Sequence, residues 1–355
     1  MGDEEKKAVM AVLDSGQLAQ GPVVEAFERE FAAWCGVEHA IAVNSGTAAL
    51  HLVMLAHSLG EGDELITSAF TFVASANAAL FVGARPVFVD IEKETYCLDP
   101  KKVEAAITPR TRAIMPVDLY GHPAQLDELR EVAERHGLLL IEDACQAHGA
   151  AIGGRKAGAM GVTATFSFYP TKNMTTAEGG MVTTPDAAIA EKVAMLRQHG
   201  ATRRYHHDLL GYNFRMTDIA GAIGRAQLAK LDHANEVRRR HASVLDEGLA
   251  GTPGVALPRE RRGCRHVYHQ YTIWVDGDRD RFQQRLRELG VGTAIHYEVP
   301  VHRQHLYRDL GYDSVSLPVT EAAADHVLSL PVHPGLTDSD LDRVIDSVRK
   351  VASTE

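Results

Sequence analysis

Leu138–Leu139–Leu140–Ile141–Glu142–Asp143–Ala144–Cys145–Gln146 is the stretch that decides the architecture. Four consecutive aliphatic residues leave neither face of the segment polar, the pattern of a strand covered on both sides, as in a parallel sheet. The run then stops on two carboxylates. A strand-end acid is costly to bury unless a cation or a set of donors meets it. It therefore reads either as an aspartate capping the next turn or as a carboxylate paired with a bound cation, and the motif alone leaves both open.

Working outward, short apolar runs alternate with longer amphipathic ones. Strands are expected at His39–Val43, Glu64–Thr67, Pro86–Asp90, Arg112–Pro116 and Leu138–Glu142, with helices at Thr47–His57, Val73–Phe81, Leu98–Ala106 and Pro123–His136. This alternation implies βαβ units and a mostly parallel α/β sheet with helices on both faces. Further strands are expected at Thr163–Phe168 and Met181–Thr184. A long helix begins near Thr217 and runs through Ala226, Leu228 and Leu231, with Arg238–Arg239–Arg240 read as a solvated face. Beyond about Leu245 the pattern changes. Strands at Tyr271–Val275, Val291–His296 and Val327–Leu330 alternate with helices at Arg279–Leu289 and Asp338–Val351. The chain thus divides into a large domain, 1–245, and a smaller C-terminal α/β domain, 246–355.

Composition sets outer limits. The 355 residues carry a net charge of −10, which argues against general binding to nucleic acid or to an anionic membrane. A phosphorylated ligand would need a local site. Cys35, Cys97, Cys145 and Cys264 are scattered without CxxC spacing and read as reduced thiols. Met1–Lys7 is charged and lacks the apolar core of a signal peptide, and no apolar run reaches the ~18 residues of a membrane span. A cytoplasmic protein is expected.

Three motifs follow strands, where open α/β sheets place their ligands. Asn44–Ser45–Gly46–Thr47–Ala48–Ala49–Leu50 opens a helix. Ser45 is a good N-cap, Gly46 lets the backbone approach a ligand, and the free N–H groups suit a phosphate, although a capped helix without any ligand has the same sequence. The second motif is the acidic strand end already quoted. The third is Phe166–Ser167–Phe168–Tyr169–Pro170–Thr171–Lys172–Asn173–Met174–Thr175–Thr176–Ala177–Glu178–Gly179–Gly180, in which one lysine sits in a polar loop between strands. Such a lysine is ordinarily a solvated charge; beside a cationic ring it becomes a nucleophile and proton carrier.

In combination, from Gly21–Pro22 through Leu330–Pro331–Val332–His333–Pro334, these motifs closely resemble the DegT/DnrJ/EryC1/StrS family of sugar aminotransferases, a branch of the fold-type I enzymes that use pyridoxal phosphate (PLP). The resemblance implies that Lys172 carries PLP as a Schiff base and shuttles the proton. It implies that Asp143 pairs with the pyridine nitrogen and that Gln146 contacts the ring or its 3′-oxygen. By the same resemblance Gly46, Thr47 and Ser167 bind the phosphate and Phe72 stacks on the ring. Gly211–Tyr212–Asn213–Phe214–Arg215 resembles a segment that reaches into the neighbouring subunit, so Asn213 is expected on the partner's cofactor phosphate in a homodimer. The amino donor is expected to be L-glutamate, and the acceptor a nucleotide-linked keto sugar. Thr175–Gly180 resembles the branch that aminates C4 of 4-keto-6-deoxyhexoses. Cys145 and Ala177 depart from the family pattern, which has alanine and glycine there; the lost glycine bears on the loop's allowed conformations. A lysine at 172, where related dehydratases have histidine, places the chain among the transaminases.

Alternatives differ in what they require. A cysteine desulfurase also places Gln three residues after the ring aspartate, but it would need a histidine before Lys172, where Thr171 stands, and a mobile catalytic cysteine, for which Cys264 is the late candidate. A PLP-binding regulatory or scaffold protein of the same fold would not need the intact Asp143–Gln146–Lys172 set. No metal site is expected: His266 with His269, His302 with His305, and His206–His207 have no acidic partner set in sequence. His296–Tyr297 and His302 border the expected substrate cleft and otherwise read as surface residues. Gly153–Gly154–Arg155–Lys156 reads as a solvated turn that the resemblance puts near the active site.

Overall fold

The structure, a computed structural model, describes residues 1–161 and 163–354; Val162 and Glu355, which fall in the expected domain ranges, lie outside the described residues. Each apolar run of the first half forms a strand of one seven-stranded sheet: β1 His39–Val43, β2 Glu64–Ser68, β3 Arg85–Val89, β4 Thr111–Met115, β5 Leu139–Asp143, β6 Thr163–Ser167 and β7 Gly180–Thr184. Their order is β1-β7-β6-β5-β4-β2-β3. Five strands run parallel from β3 to β6, while β7 lies antiparallel between β6 and β1.

Residues alternate between two cores. Leu140, Ile114 and Phe166 face one, with Val24 and Phe27 of α2 (Pro22–Cys35) and Leu129 of α6 (Leu126–His136). Ile141, Met115 and Val182 face the other, with Leu50 and Val53 of α3 (Gly46–Ala56) and Val193 of Ala187–Leu196. Both faces are covered, which is why β5 is aliphatic at every position before its acidic end.

Local signals set the ends. Asp99 caps Pro100–Ala106 through Lys101 N, with Pro100 in the first turn, so that helix starts two residues later than the apolar pattern suggests. The long helix α8 spans Asp218–Leu249, capped by Thr217 onto Ala220 N. Its first residue, Asp218, is buried and accepts from Gly21 N at 2.8 Å and Val24 N at 3.0 Å, which satisfies the free N–H groups at the start of α2.

The C-terminal part has its own core. Tyr271–Val275 pairs antiparallel with Val327–Leu330, and both pack on Phe282, Leu286, Leu341 and Val348. Leu228 and Leu231 of α8 lie in the large core, but Ala242, Leu245 and Leu249 lie in this smaller one. The helix therefore runs unbroken past the boundary expected at 245.

Several expectations are corrected. Val291–His296 is not a strand. Ala294 alone bridges Ser329, exchanging bonds of 3.1 and 2.8 Å, and the chain then turns inward so that His296 and Tyr297 line the cleft. Arg238 is not solvated: it is buried, donates to Tyr268 O at 3.2 Å, and burial pulls its pKa down to about 10. Arg239 is half-buried on Glu260, and Arg240 is the exposed member, 3.3 Å from Asp338. His302 is not a surface residue but fully buried, with Nε2 3.1 Å from Glu321. Lys156 is held by Trp34 O at 2.6 Å.

Candidate active site

The cleft opens beyond the carboxyl ends of β1, β5 and β6 and encloses about 590 Å³. Seven of the eight residues singled out in the sequence line it: Gly46, Thr47, Phe72, Asp143, Gln146, Ser167 and Lys172. The eighth, Asn213, does not. It is exposed, and its backbone carbonyl accepts from Asn44 Nδ2 at 3.4 Å.

One end of the cleft is a cradle of backbone. Ser45 Oγ accepts from Ala48 N at 3.0 Å and starts α3. A Cβ on Gly46 would lie 2.7 Å from Ser167 Cβ, and one on Gly180 would lie 2.4 Å from Ser45 O. Glycine at both positions lets the start of α3 seat against the ends of β6 and β7. The remaining free N–H groups of the first helical turn suit an anion.

At the centre, Asp143 is buried on the last residue of β5. Its Oδ2 accepts from Ser75 Oγ at 2.7 Å and its Oδ1 from Cys145 N at 3.2 Å. Thr71 lies 3.0 Å from Ser75 and braces that hydroxyl. These are neutral donors, so the carboxylate keeps its charge available for a cation in the cleft.

Lys172 enters from the loop after β6, fixed by its backbone N–H to Tyr169 O at 2.9 Å. Burial pulls its pKa below the usual lysine value, opposed by Cys145 and Asp143. Burial and the nearby Lys172 charge also lower His148, His269 and His296. The lysine thus sits among neutral imidazoles. Beside it, Asn173 Nδ2 donates to Asn235 Oδ1 at 2.8 Å and to Val267 O at 3.1 Å, tying the loop to α8.

Gln146 is clamped. Its Oε1 accepts from Tyr120 N and its Nε2 donates to Tyr297 Oη, both at 2.9 Å. Ser75 and His269 were missed by sequence reasoning, whereas His296 and Tyr297, expected at the cleft border, do line the cleft, and His302 does not. Ser75 had a faint signal, a hydroxyl four residues after Thr71 at a helix start beside a strand end. His269 was visible only as a metal candidate, and nothing in the chain's periodicity brings Tyr297 to Gln146. Cys264 pairs with Ile152 on a short strand outside the cleft lining. Among the described residues, no group of three or more His, Cys, Asp or Glu side chains could hold a metal.

A glycine cradle for an anion, a buried carboxylate for a cationic ring and a half-buried lysine together fit pyridoxal phosphate, and on this sheet they define a fold-type I PLP enzyme. Residues 1–349 match the DegT/DnrJ/EryC1/StrS aminotransferase family. The dTDP-3-amino-3,4,6-trideoxy-alpha-D-glucose transaminase of Streptomyces venezuelae is 45% identical over 350 residues, 98% of this chain and 92% of that protein. The crystal structure of S. venezuelae DesV in complex with a ketimine intermediate superposes with a TM-score of 0.96 at 45% identity, covering 99% of this chain and 94% of that one. NtdA from Bacillus subtilis with bound cofactor PMP gives 0.93 at 32% identity, covering 99% and 82%. The chain belongs to the DegT/DnrJ/EryC1/StrS aminotransferase family, and it is a PLP-dependent sugar aminotransferase.

Proposed function

We propose that this enzyme moves an amino group from L-glutamate to C4 of a nucleotide-linked 4-keto-6-deoxyhexose. The observation that carries the chemistry is the meeting of half-buried Lys172 and buried Asp143 in one cleft with the Gly46 cradle. When bound, PLP supplies the electron sink.

The chain's own residues divide the remaining work. Lys172 would hold the cofactor covalently and, once displaced by the donor amine, move a proton at Nζ; its lowered pKa raises the neutral fraction that can do so. Asp143 would keep the pyridine nitrogen protonated, with Ser75 and Cys145 N fixing its two oxygens. Gly46, Thr47 and Ser167 would take the phosphate. Phe72, 56% exposed at the mouth, would lie on the ring, and the clamped Gln146 would sit beside it.

The choice of C4 rests on the Thr175–Gly180 loop. Ala177 adopts φ +70°, the left-handed conformation a glycine would take there, so the loop keeps its shape despite the alanine. A second reading, amination at C3, is favoured by the name of the 45% identical relative. Loading the enzyme with glutamate and offering dTDP-, UDP- and GDP-linked 3-keto and 4-keto sugars decides between them. Return of the PLP spectrum with a 4-keto sugar, and the amine at C4 by NMR, is expected. Return only with 3-keto sugars overturns the C4 assignment, and no return with any sugar overturns the nucleotide-sugar reading.

We also propose a homodimer in which Asn213 completes the partner's phosphate site. The exposure of Asn213, of Leu210 at 86% and of Tyr169 at 48% supports it, because a second copy would cover them.

A further inference from the structure

Behind Asp143, outside the cleft lining, lie two carboxyl groups with no accessible surface at all. Asp118 follows β4, Glu142 immediately precedes Asp143, and both are fully buried. Asp118 Oδ1 accepts from Ala124 N at 2.8 Å, and Glu142 Oε1 accepts from Gly158 N at 3.0 Å. Their other oxygens, Asp118 Oδ2 and Glu142 Oε2, find no donor among the described residues, and the two carboxyl groups are neighbours close enough to share a hydrogen bond if one of them carries a proton. Two ionised carboxylates cannot make that bond, because each is an acceptor only. One proton between them turns the repulsion into a charge-assisted bond and satisfies both orphaned oxygens.

We propose that Asp118 and Glu142 hold one proton between them and act as positioning residues for Asp143. The coupling to the site is direct. Asp118 N donates to Asp143 O, and Asp143 N donates to Pro116 O, each at 3.0 Å. The pair and the ring-facing aspartate thus share one strand crossing.

The surroundings fix where the proton rests. Besides the Gly158 bond, the nearby backbone N–H groups of Met160 and Gly161 favour the anion on Glu142, whereas Asp118 has the N–H of Ala124. The anion belongs on Glu142 and the proton on Asp118. The other groups that act on the pair are Asp143 and the thiols of Cys35, Cys97 and Cys264. Burial holds the first two of these thiols neutral, near a pKa of about 12. Burial first, and then the Glu142 charge, raise Asp118 well above the ordinary aspartate value. The folded chain therefore carries a proton here that an unfolded chain releases. This contribution to stability is complete below the ordinary carboxyl range and is lost as pH rises through the folded value.

The test is infrared spectroscopy of the apo-protein at neutral pH, with aspartate or glutamate labelled at the carboxyl carbon. A protonated-carboxyl band that shifts with labelled aspartate and disappears in Asp118→Asn is expected. Absence of such a band in the wild type, or its persistence in folded Asp118→Asn, overturns the proposal. If Asp118→Asn does not fold, the labelling of the wild-type protein alone decides: a band that does not move with either label overturns it.

The positioning role has a separate readout. Asp118→Asn keeps a donor toward Glu142 and an acceptor for Ala124 N, so PLP affinity and the pH titration of the bound chromophore should match the wild type. Asp118→Ala leaves Glu142 ionised and unpaired, and should weaken PLP binding roughly tenfold or more. Equal behaviour of the alanine and asparagine variants would show that the pair does not position Asp143.

Discussion

Replacing Gly46 with alanine isolates the phosphate cradle, because it adds one methyl group and removes nothing. That methyl would sit 2.7 Å from Ser167 Cβ and 3.2 Å from Ser167 Cα, where carbon atoms ordinarily rest about 3.5–4.0 Å apart. Ser167 cannot withdraw easily. It ends β6 and pairs with Gly180 on β7, whose own backbone is seated against Ser45. Overpacking of this kind costs about 1–3 kcal/mol. Alanine is the better helix former by at most about 1 kcal/mol, and less at the first helical position. The clash therefore outweighs the propensity, and the start of α3 must move from Ser167 by several tenths of an ångström.

The displaced N–H groups are the ones assigned to the phosphate, so the loss should appear in cofactor affinity. A penalty of 1.4 kcal/mol is tenfold, which puts the expected weakening at roughly ten- to a hundredfold. The assay is titration of apo-enzyme with PLP, followed by the cofactor's absorbance, with Tm measured alongside. Ser167→Gly in the Gly46→Ala background removes the opposing Cβ and should recover part of the affinity relative to Ser167→Gly alone, a positive coupling in a double-mutant cycle. Wild-type PLP affinity in Gly46→Ala, or a cycle with no coupling, would refute the cradle.

Other outcomes follow from the same geometry. Ser75→Ala removes a 2.7 Å bond to the Asp143 carboxylate, worth about 1.5–3 kcal/mol for a charged acceptor; kcat/KM should fall roughly tenfold or more, and unchanged kinetics would detach Ser75 from the site. Lys172→Ala should abolish transamination while leaving the far-ultraviolet circular dichroism intact, and turnover at the wild-type rate would remove the central assignment. Burial lowers His122 to about 4 and His148 to about 3, so the stability they contribute is present above their unfolded value of about 6.5 and is lost as pH falls toward the folded ones. Acid unfolding of His148→Leu should accordingly take up one proton fewer, a tenfold smaller change in the unfolding constant per pH unit in that window. Mixing the inactive Lys172→Ala and Asn213→Asp chains should restore activity through heterodimers with one intact site, up to about a quarter of the wild-type level by random pairing; a mixture with no more activity than its separate components would argue against a shared site.

Much of the sheet was legible because its physics is local. Leu138–Ile141 has no polar face, and only a doubly covered strand satisfies it. The motif residues were legible because strand ends gather ligand-binding groups at one edge. The remainder depended on partners remote in sequence. Nothing in Gly180–Thr184 says that this strand runs antiparallel while its neighbours run parallel. Arg238 looked solvated because it stands in a run of three arginines; only Tyr268 O, 30 residues on, explains its burial. Val291–His296 has strand composition, yet its backbone leaves the sheet after one bridge. Gln146 and Tyr297 are 151 residues apart, and their bond closes the cleft wall without any local signature.

The charges in the cleft bear on why one chain should not suffice. Its lining carries Asp143 and Glu178 against a single lysine, and Lys172 is assigned to the carbonyl end of the cofactor, not to its phosphate. The histidines are held neutral by burial. Backbone N–H groups at a helix start can seat a phosphate, but they supply only about half an elementary charge. A dianionic phosphate and a nucleotide-linked diphosphate together bring more negative charge than this wall offsets. Arg203 and Arg204 stand exposed and Arg215 half-buried on the segment that carries Asn213, on a protein whose net charge is −10. A second copy delivering that segment to the cleft mouth would supply both the missing cations and the cover for Phe72 and Tyr169. If so, the KM for the nucleotide sugar should rise with salt and with substitution of Arg203 or Arg204, while PLP affinity should respond to Asn213 and not to those two arginines. The opposite pattern, with the arginines governing PLP affinity, would assign them to the cofactor phosphate instead.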